Sequence, residues 1–222
     1  MREQGTGSKN VPTAAPWLPA RLTLPALVAA AKGCEGCELF RNATQTVFGE
    51  GPANAPVVMV GEQPGDQEDL SGKPFVGPAG QLLNRALAEA GLDRRQVYVT
   101  NAVKHFKFVE RGKRRIHGKP GGIEISACRP WLEAELTVIQ PQLIVCLGAT
   151  AAQSLMGRDF RITRDRGTFF PHRLASSLMA TVHPSALLRM PERDRREEEY
   201  RLFVADLALI PRKLNQYSDQ KS

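Results

Sequence analysis

Apolar residues come in short blocks along this chain, and the spacing inside each block separates strands from helices. Pro56-Val57-Val58-Met59-Val60-Gly61 is a continuous apolar run bounded by Pro and Gly. Such runs read as strands buried on both faces. Val97 to Val103, Gln142 to Leu147 and Leu178 to Val182 read as three further strands. Between them the period lengthens. Leu82, Leu83, Ala86, Leu87 and Ala90 fall on one face of a helix over Ala79 to Ala90, with Gly91 as its C-cap. Further helices are predicted over Leu22 to Lys32, Ile123 to Ile139 and Ala149 to Met156, from Pro184, and over Glu192 to Ile210. Gly61 to Gly77 and Lys104 to Gly122 read as long loops.

Strands alternating with helices imply an α/β fold: a three-layer α/β/α sandwich around a central four-stranded, mainly parallel sheet. The expected organisation is a flexible segment over residues 1–20, one domain over 21–212 and a flexible polar tail over 213–222. In such a sheet, ligands bind beyond the carboxyl ends of the strands. Three polar segments sit at such ends: Gly61-Glu62-Gln63-Pro64-Gly65-Asp66, Thr100-Asn101 and His183-Pro184-Ser185. The architecture brings them to one rim, where an active site is expected.

Charge sharpens this picture. The 222 residues carry a net charge of +7. Lys104 to Lys119 holds seven Lys or Arg against one acid, Glu110, and Arg161, Arg164, Arg166 and Arg173 form a second basic stretch. Clustered cations fit either a solvated surface or a polyanion such as nucleic acid. No stretch has the roughly 20 apolar residues of a membrane span, and no signal peptide is read at the start, so an intracellular, cytoplasmic protein is expected. Of the four cysteines, Cys34 and Cys37 form a CxxC, Cys128 opens a predicted helix, and Cys146 lies within a predicted strand. A CxxC without a βαβ context starting just before the pair reads as a metal centre.

Gly61-Glu62-Gln63-Pro64-Gly65-Asp66, Gly72 to Gly80, Thr100-Asn101 and His183 to Arg189, taken in order, resemble the iron–sulfur uracil-DNA glycosylases of family four. Two details are similar to the UdgX branch, whose members attach covalently to DNA through a loop histidine: Gln63 where the hydrolytic members usually have Ala, and Lys113-Arg114-Arg115-Ile116-His117 in the basic loop. The resemblance implies a protein that flips uracil out of DNA and cleaves its bond to the sugar. It implies that Phe75 stacks on the base and Asn101 pairs with its edge, with Gly61 and Gln63 beside them. Among the catalytic residues, His183 donates to a uracil oxygen, Glu62 orients and activates His117, Asp66 supports, and His117 traps C1′ of the sugar. Gln63 hydrogen-bonds either the loop carrying His117 or the base. Lys113, Arg114, Arg115, Ser185 and Arg189 fall to DNA contacts. Leu187 and Leu188 read equally as a DNA wedge or as a helix face on the core.

By the same resemblance a [4Fe-4S] cluster is held by Cys34, Cys37, Cys128 and one further ligand. Val103-Lys104-His105 stands where the hydrolytic family has its last Cys, so the choice lies between His105 and Cys146. Cys146 reads as a small core residue, and His105 is taken. Three Cys and one His also suit zinc. The expected partner is uracil-containing DNA, single-stranded as well as duplex, acted on by a monomer. A hydrolytic multiple-turnover glycosylase and a non-catalytic DNA-binding protein are the alternatives.

Overall fold

The computed structural model of the protein describes residues 12–219. Its centre is a five-stranded sheet in which the strand of residues 97–101 is followed by those of 57–61, 143–147, 175–181 and 169–172. The strands are β1 (Val57–Gly61), β2 (Val97–Asn101), β5 (Leu143–Leu147), β6 (Phe169–His172) and β7 (Ala175–Thr181). β1 pairs in parallel with β2 and β5, and β5 with β7, while β6 runs antiparallel along the β7 edge. The sheet thus has one strand more than expected. Phe169-Phe170-Pro171-His172 is a half-exposed edge hairpin partner, and its Pro is tolerated because an edge strand leaves N–H groups unpaired.

Alternation along the strands assigns the two faces. Val57, Met59, Val97, Val99, Val145 and Met179 pack under helices α3 (Pro78–Glu89), α7 (Pro184–Leu188), α8 (Arg193–Leu207) and α9 (Leu209–Asp219). Val58, Val60, Tyr98, Ile144, Cys146 and Leu178 pack under α4 (Gly122–Ile139) and α5 (Ala149–Met156). Both layers are closed, so the strands are apolar on both sides. A satellite cluster joins α1 (Leu24–Ala31) and the CxxC to α4, centred on the fully buried Trp131.

Several boundaries differ from the sequence reading. The expected helix over Glu192 to Ile210 is divided after Leu207 into α8 and α9, and residues 213–219 continue as helix where a tail was expected. Within the expected N-terminal segment, residues 1–11 lie outside the described ones. Ala14 is buried and its N–H donates to the Ala127 carbonyl at 2.7 Å. The loop after β1 contains a short helix, α2 (Asp66–Ser71). The basic loop is an antiparallel hairpin of β3 (Phe108–Arg111) and β4 (Arg114–His117), pairing Phe108 with His117. α6 (Ile162–Asp165) completes the elements. Among the described residues, no helix is long and apolar enough to cross a membrane.

Candidate active site

The chain leaves β1 toward β2 on one side and later places β5 on the other, so a crevice opens at the carboxyl ends of these strands. Gly61 ends β1 opposite Asn101, which ends β2. A Cβ on Gly61 would lie 2.3 Å from Asn101 Oδ1 and 2.9 Å from the Phe75 ring, so only glycine fits beneath these two side chains. Phe75 itself has φ of 57°, a left-handed conformation that costs a non-glycine residue strain. Gly80 fixes that turn, since a Cβ there would collide with the Phe75 carbonyl. Glu68, buried beside it, accepts from the Gly65 N–H at 3.0 Å and the Gly77 N–H at 2.9 Å, closing the loop over the rim.

The result is a cavity of about 150 Å3 lined by Gln63, Phe75, Asn101, His117, His183 and neighbouring residues. A cavity of about this volume holds a single six-membered ring. The Phe75 and His183 rings lie 6.2 Å apart, inclined by 29°, as two walls of the same space. The cavity opens into a groove of about 650 Å3 that Glu62, His117, Lys119, Ser185 and Arg189 share.

His183 caps α7. Its Nδ1 accepts from the Ser185 N–H at 3.1 Å and lies 2.8 Å from Ser185 Oγ. The Arg189 guanidinium donates to that same hydroxyl at 3.1 Å. Nδ1 is therefore the acceptor, which puts the proton of a neutral ring on Nε2. Burial holds the ring neutral by pushing its pKa down to about 4, with the Arg189 and His117 charges acting in the same direction. His183 is thus both a helix cap and a neutral N–H donor.

His117 ends β4, half-exposed, with Nε2 3.8 Å from Glu62 Oε1. Burial lowers its pKa, Glu62 opposes that shift, and Arg189 reinforces it. Desolvation is the largest of these causes. Gln63 pins this end of the hairpin. Its Nε2 donates to the Gly118 carbonyl at 3.0 Å and the Lys107 carbonyl at 3.2 Å, and lies 3.0 Å from His117 Nε2, while its Oε1 accepts from the Lys107 N–H at 3.2 Å.

Other expected site residues lie outside the cavity lining. Asp66 accepts from Arg115 Nε at 2.6 Å, and the buried Asp69 accepts from Arg115 Nη1 at 2.6 Å. Arg115 also lies over the Phe106 and Phe108 rings, so it faces inward and fastens the hairpin to α2. Lys113 and Arg114 are exposed at the hairpin tip. Leu187 is 1% exposed and belongs to the core, while Leu188 is 43% exposed at the rim.

A family described as the uracil DNA glycosylase superfamily matches residues 48–208. A type-4 uracil-DNA glycosylase of Thermotoga maritima is 38% identical over 177 residues, covering 79% of this chain and 86% of the relative. A type-4 uracil-DNA glycosylase of Sulfurisphaera tokodaii is 36% identical, covering 81% of this chain and 82% of the relative. The chain belongs to the uracil DNA glycosylase superfamily.

In this superfamily member the matched span includes every residue named above for the cavity and leaves Cys34 and Cys37 on its N-terminal side. Those two, with Cys128 and His105, line one small pocket. Cys146 is apart from them, fully buried in the β5 core. None of the four cysteines forms a disulfide. Two N–H groups point at the pocket sulfurs: Trp131 Nε1 at Cys34 Sγ and Lys104 N at Cys128 Sγ, each at 3.2 Å. A neutral thiol is a weak acceptor, so two donors aimed at sulfur fit thiolates. Burial pushes the Cys128 thiol up to about 12 and raises Cys37, and a bound metal centre reverses that cost. The donor set therefore fits a thiolate-ligated group. Among the described residues, no three His, Cys, Asp or Glu side chains are gathered closely enough to hold a single ion.

Sequence reasoning missed the link between this pocket and the cavity. Lys104 is wholly buried, and its Nζ donates to Thr100 Oγ1 at 2.6 Å, the Asn101 carbonyl at 2.8 Å and the Glu135 carboxylate. Glu135, also wholly buried, further accepts from Tyr98 Oη at 2.8 Å, Thr100 Oγ1 at 3.0 Å and the Gly49 N–H at 3.1 Å. Asn101 thus stands on a saturated polar network whose lysine also touches, through its own N–H, the sulfur of Cys128.

Proposed function

We propose that the protein excises uracil from DNA and captures the resulting sugar on His117. The observation that carries this reading is the ring-sized cavity walled by Phe75 and His183, floored by Asn101, with His117 at its mouth. A base can reach it only after leaving the stack. Phe75 stacks on the uracil face, and the Asn101 amide, with one acceptor and two donors, pairs with the N3–H and O4 edge. Cytosine presents the opposite pattern at this edge.

Cleavage moves the C1′–N1 electron pair onto uracil and leaves a cationic sugar. The neutral His183 donates from Nε2–H to the developing uracil oxyanion, without a competing positive charge to discharge. Glu62, on the sugar side, stabilises the cation. The lone pair of His117 Nε2 then forms the bond to C1′; the imidazole becomes cationic and Glu62 balances it. Loss of the Nδ1 proton to solvent then leaves a neutral N-glycosyl imidazole, whose departure as an imidazolide anion is unfavourable, so each molecule turns over once. Gln63 and Arg115 position the hairpin, and Lys113, Arg114, Ser185 and Arg189 meet phosphates. Single strands as well as duplexes are the substrates, and the protein acts as a monomer.

Cys34, Cys37, His105 and Cys128 would hold a [4Fe-4S] cluster. When bound, it supplies a covalent tie between the CxxC and α4. Lys104 and Trp131 stabilise the thiolates by their N–H groups.

A denaturing gel on uracil-containing strands, with uracil-free strands as control, tests the reading. A slow-migrating adduct that forms only with uracil supports it. Cleavable abasic product with multiple turnovers leaves the excision and removes the capture. Intact, merely shifted DNA removes both.

A further inference from the structure

The groove at the mouth of the cavity continues past His117. Lys119 and Thr150 line both it and a second hollow of about 760 Å3, which runs between the N-terminal end of α4 and the C-terminal end of α5. The charged residues of this hollow are Lys119, Arg129, Arg158 and Arg161, and its lining holds no carboxylate. Ser126 and Gln153 add neutral donors between the cations.

Most of the nearby arginines are already committed. Arg164 pairs with Asp165 at 2.6 Å, Arg166 with Asp206 at 2.9 Å and Glu199 at 3.0 Å, and Arg173 with Glu133. Arg129 faces Glu133 at 3.5 Å. By contrast, the Arg161 guanidinium donates to backbone carbonyls, those of Arg158 and Phe160, and the nearby Asp165, which accepts from the Arg161 N–H at 3.0 Å, is already paired with Arg164. Among the described residues, neither Lys119, Arg158 nor Arg161 forms an ion pair with a carboxylate. Three unpaired cations along one open hollow repel one another, and a row of phosphates relieves that repulsion.

We infer that this hollow is a phosphate track for a single DNA strand on one side of the flipped nucleotide. The inference rests on the proposed reading of the cavity, because that reading places a nucleotide where the two hollows join. The track lies to one side of the cavity only, so strand length should matter asymmetrically. Contacts to phosphate position a strand without reading its sequence, so the gain should not depend on which bases follow.

The test is fluorescence anisotropy over a range of salt concentrations. The probes are short oligonucleotides with one 2′-fluoro-deoxyuridine, whose C1′–N1 bond resists cleavage so that binding stays reversible, extended on the 5′ side only or on the 3′ side only. Extension on one side should tighten binding and steepen the salt dependence more than extension on the other. Arg158→Gln with Arg161→Gln should abolish that one-sided gain. It should lower the slope of log K against log salt by about 1.4, roughly 0.7 for each lost contact to a single strand. Uracil processing on the shortest oligonucleotide should stay at the wild-type rate, and Arg158→Lys with Arg161→Lys should restore most of the slope. Equal gains on both sides, or a Gln variant with the wild-type slope and length dependence, would overturn the assignment. Uracil-free strands of the same lengths carry the same slope comparison. A protein that leaves uracil intact yet shows the one-sided slope would sink the cavity reading and keep the track.

Discussion

Replacing Lys104 by Met removes the ammonium and keeps most of the buried stem. Glu135 is then left as a buried carboxylate without its cation, holding only the Tyr98, Thr100 and Gly49 donors. Breaking a buried pair by removing one partner costs about 3–5 kcal/mol. Three donors remain, so the lower end, about 3 kcal/mol, is expected. In a chain of this length 1 kcal/mol moves Tm by roughly 2–4 °C, which gives a drop of about 6–12 °C by thermal unfolding followed by circular dichroism. Lys104→Met with Glu135→Gln removes both charges and keeps an acceptor for the Tyr98, Thr100 and Gly49 donors, so most of the lost stability should return. Uracil release should not recover in parallel: the Asn101 carbonyl has still lost its 2.8 Å donor. A single variant with the wild-type Tm, or a double variant as unstable as the single one, would refute the reasoning.

Asn101→Ala should slow uracil release by about 10- to 100-fold, because an unpaired polar edge costs about 1–3 kcal/mol; release at the wild-type rate moves base reading elsewhere. Adduct formation needs the neutral His117 ring. Burial lowers its pKa, so the rate should hold as pH falls through the ordinary histidine value near 6.5 and decline only below that. A rate already halved above that value contradicts the assigned shift. Cys146→Ala should leave the iron content intact, while His105→Ala should reduce or alter it; the reverse pattern in metal analysis, or zinc in place of iron, would reassign the ligand or the metal.

Val57–Gly61 and Leu143–Leu147 were legible as short apolar runs between Pro and Gly, and the carboxyl ends of the strands marked the rim. Phe169 to His172 was not, since a half-exposed edge strand containing Pro171 lacks that pattern. The hairpin in the basic loop was hidden by its composition: Arg111 and Arg114 pair across it, and charge masks the alternation. Asp66 and Arg115 carried sequence signals for catalysis and for DNA, yet they meet each other. Nothing local reveals a pairing across 49 residues. Glu135 reads as one more polar position on a long helix, and only tertiary packing makes it wholly buried. His183 could be read in both its roles because Pro184 and Ser185 adjoin it in sequence.

The most direct test of the central claim is peptide mass spectrometry of the protein after incubation with uracil-containing DNA and digestion with protease and nuclease. The account predicts release of one uracil per protein and a deoxyribose adduct on the peptide containing His117, localised to the imidazole by fragmentation. An adduct on any other peptide, or uracil released over many turnovers with the His117 peptide unmodified, would contradict it.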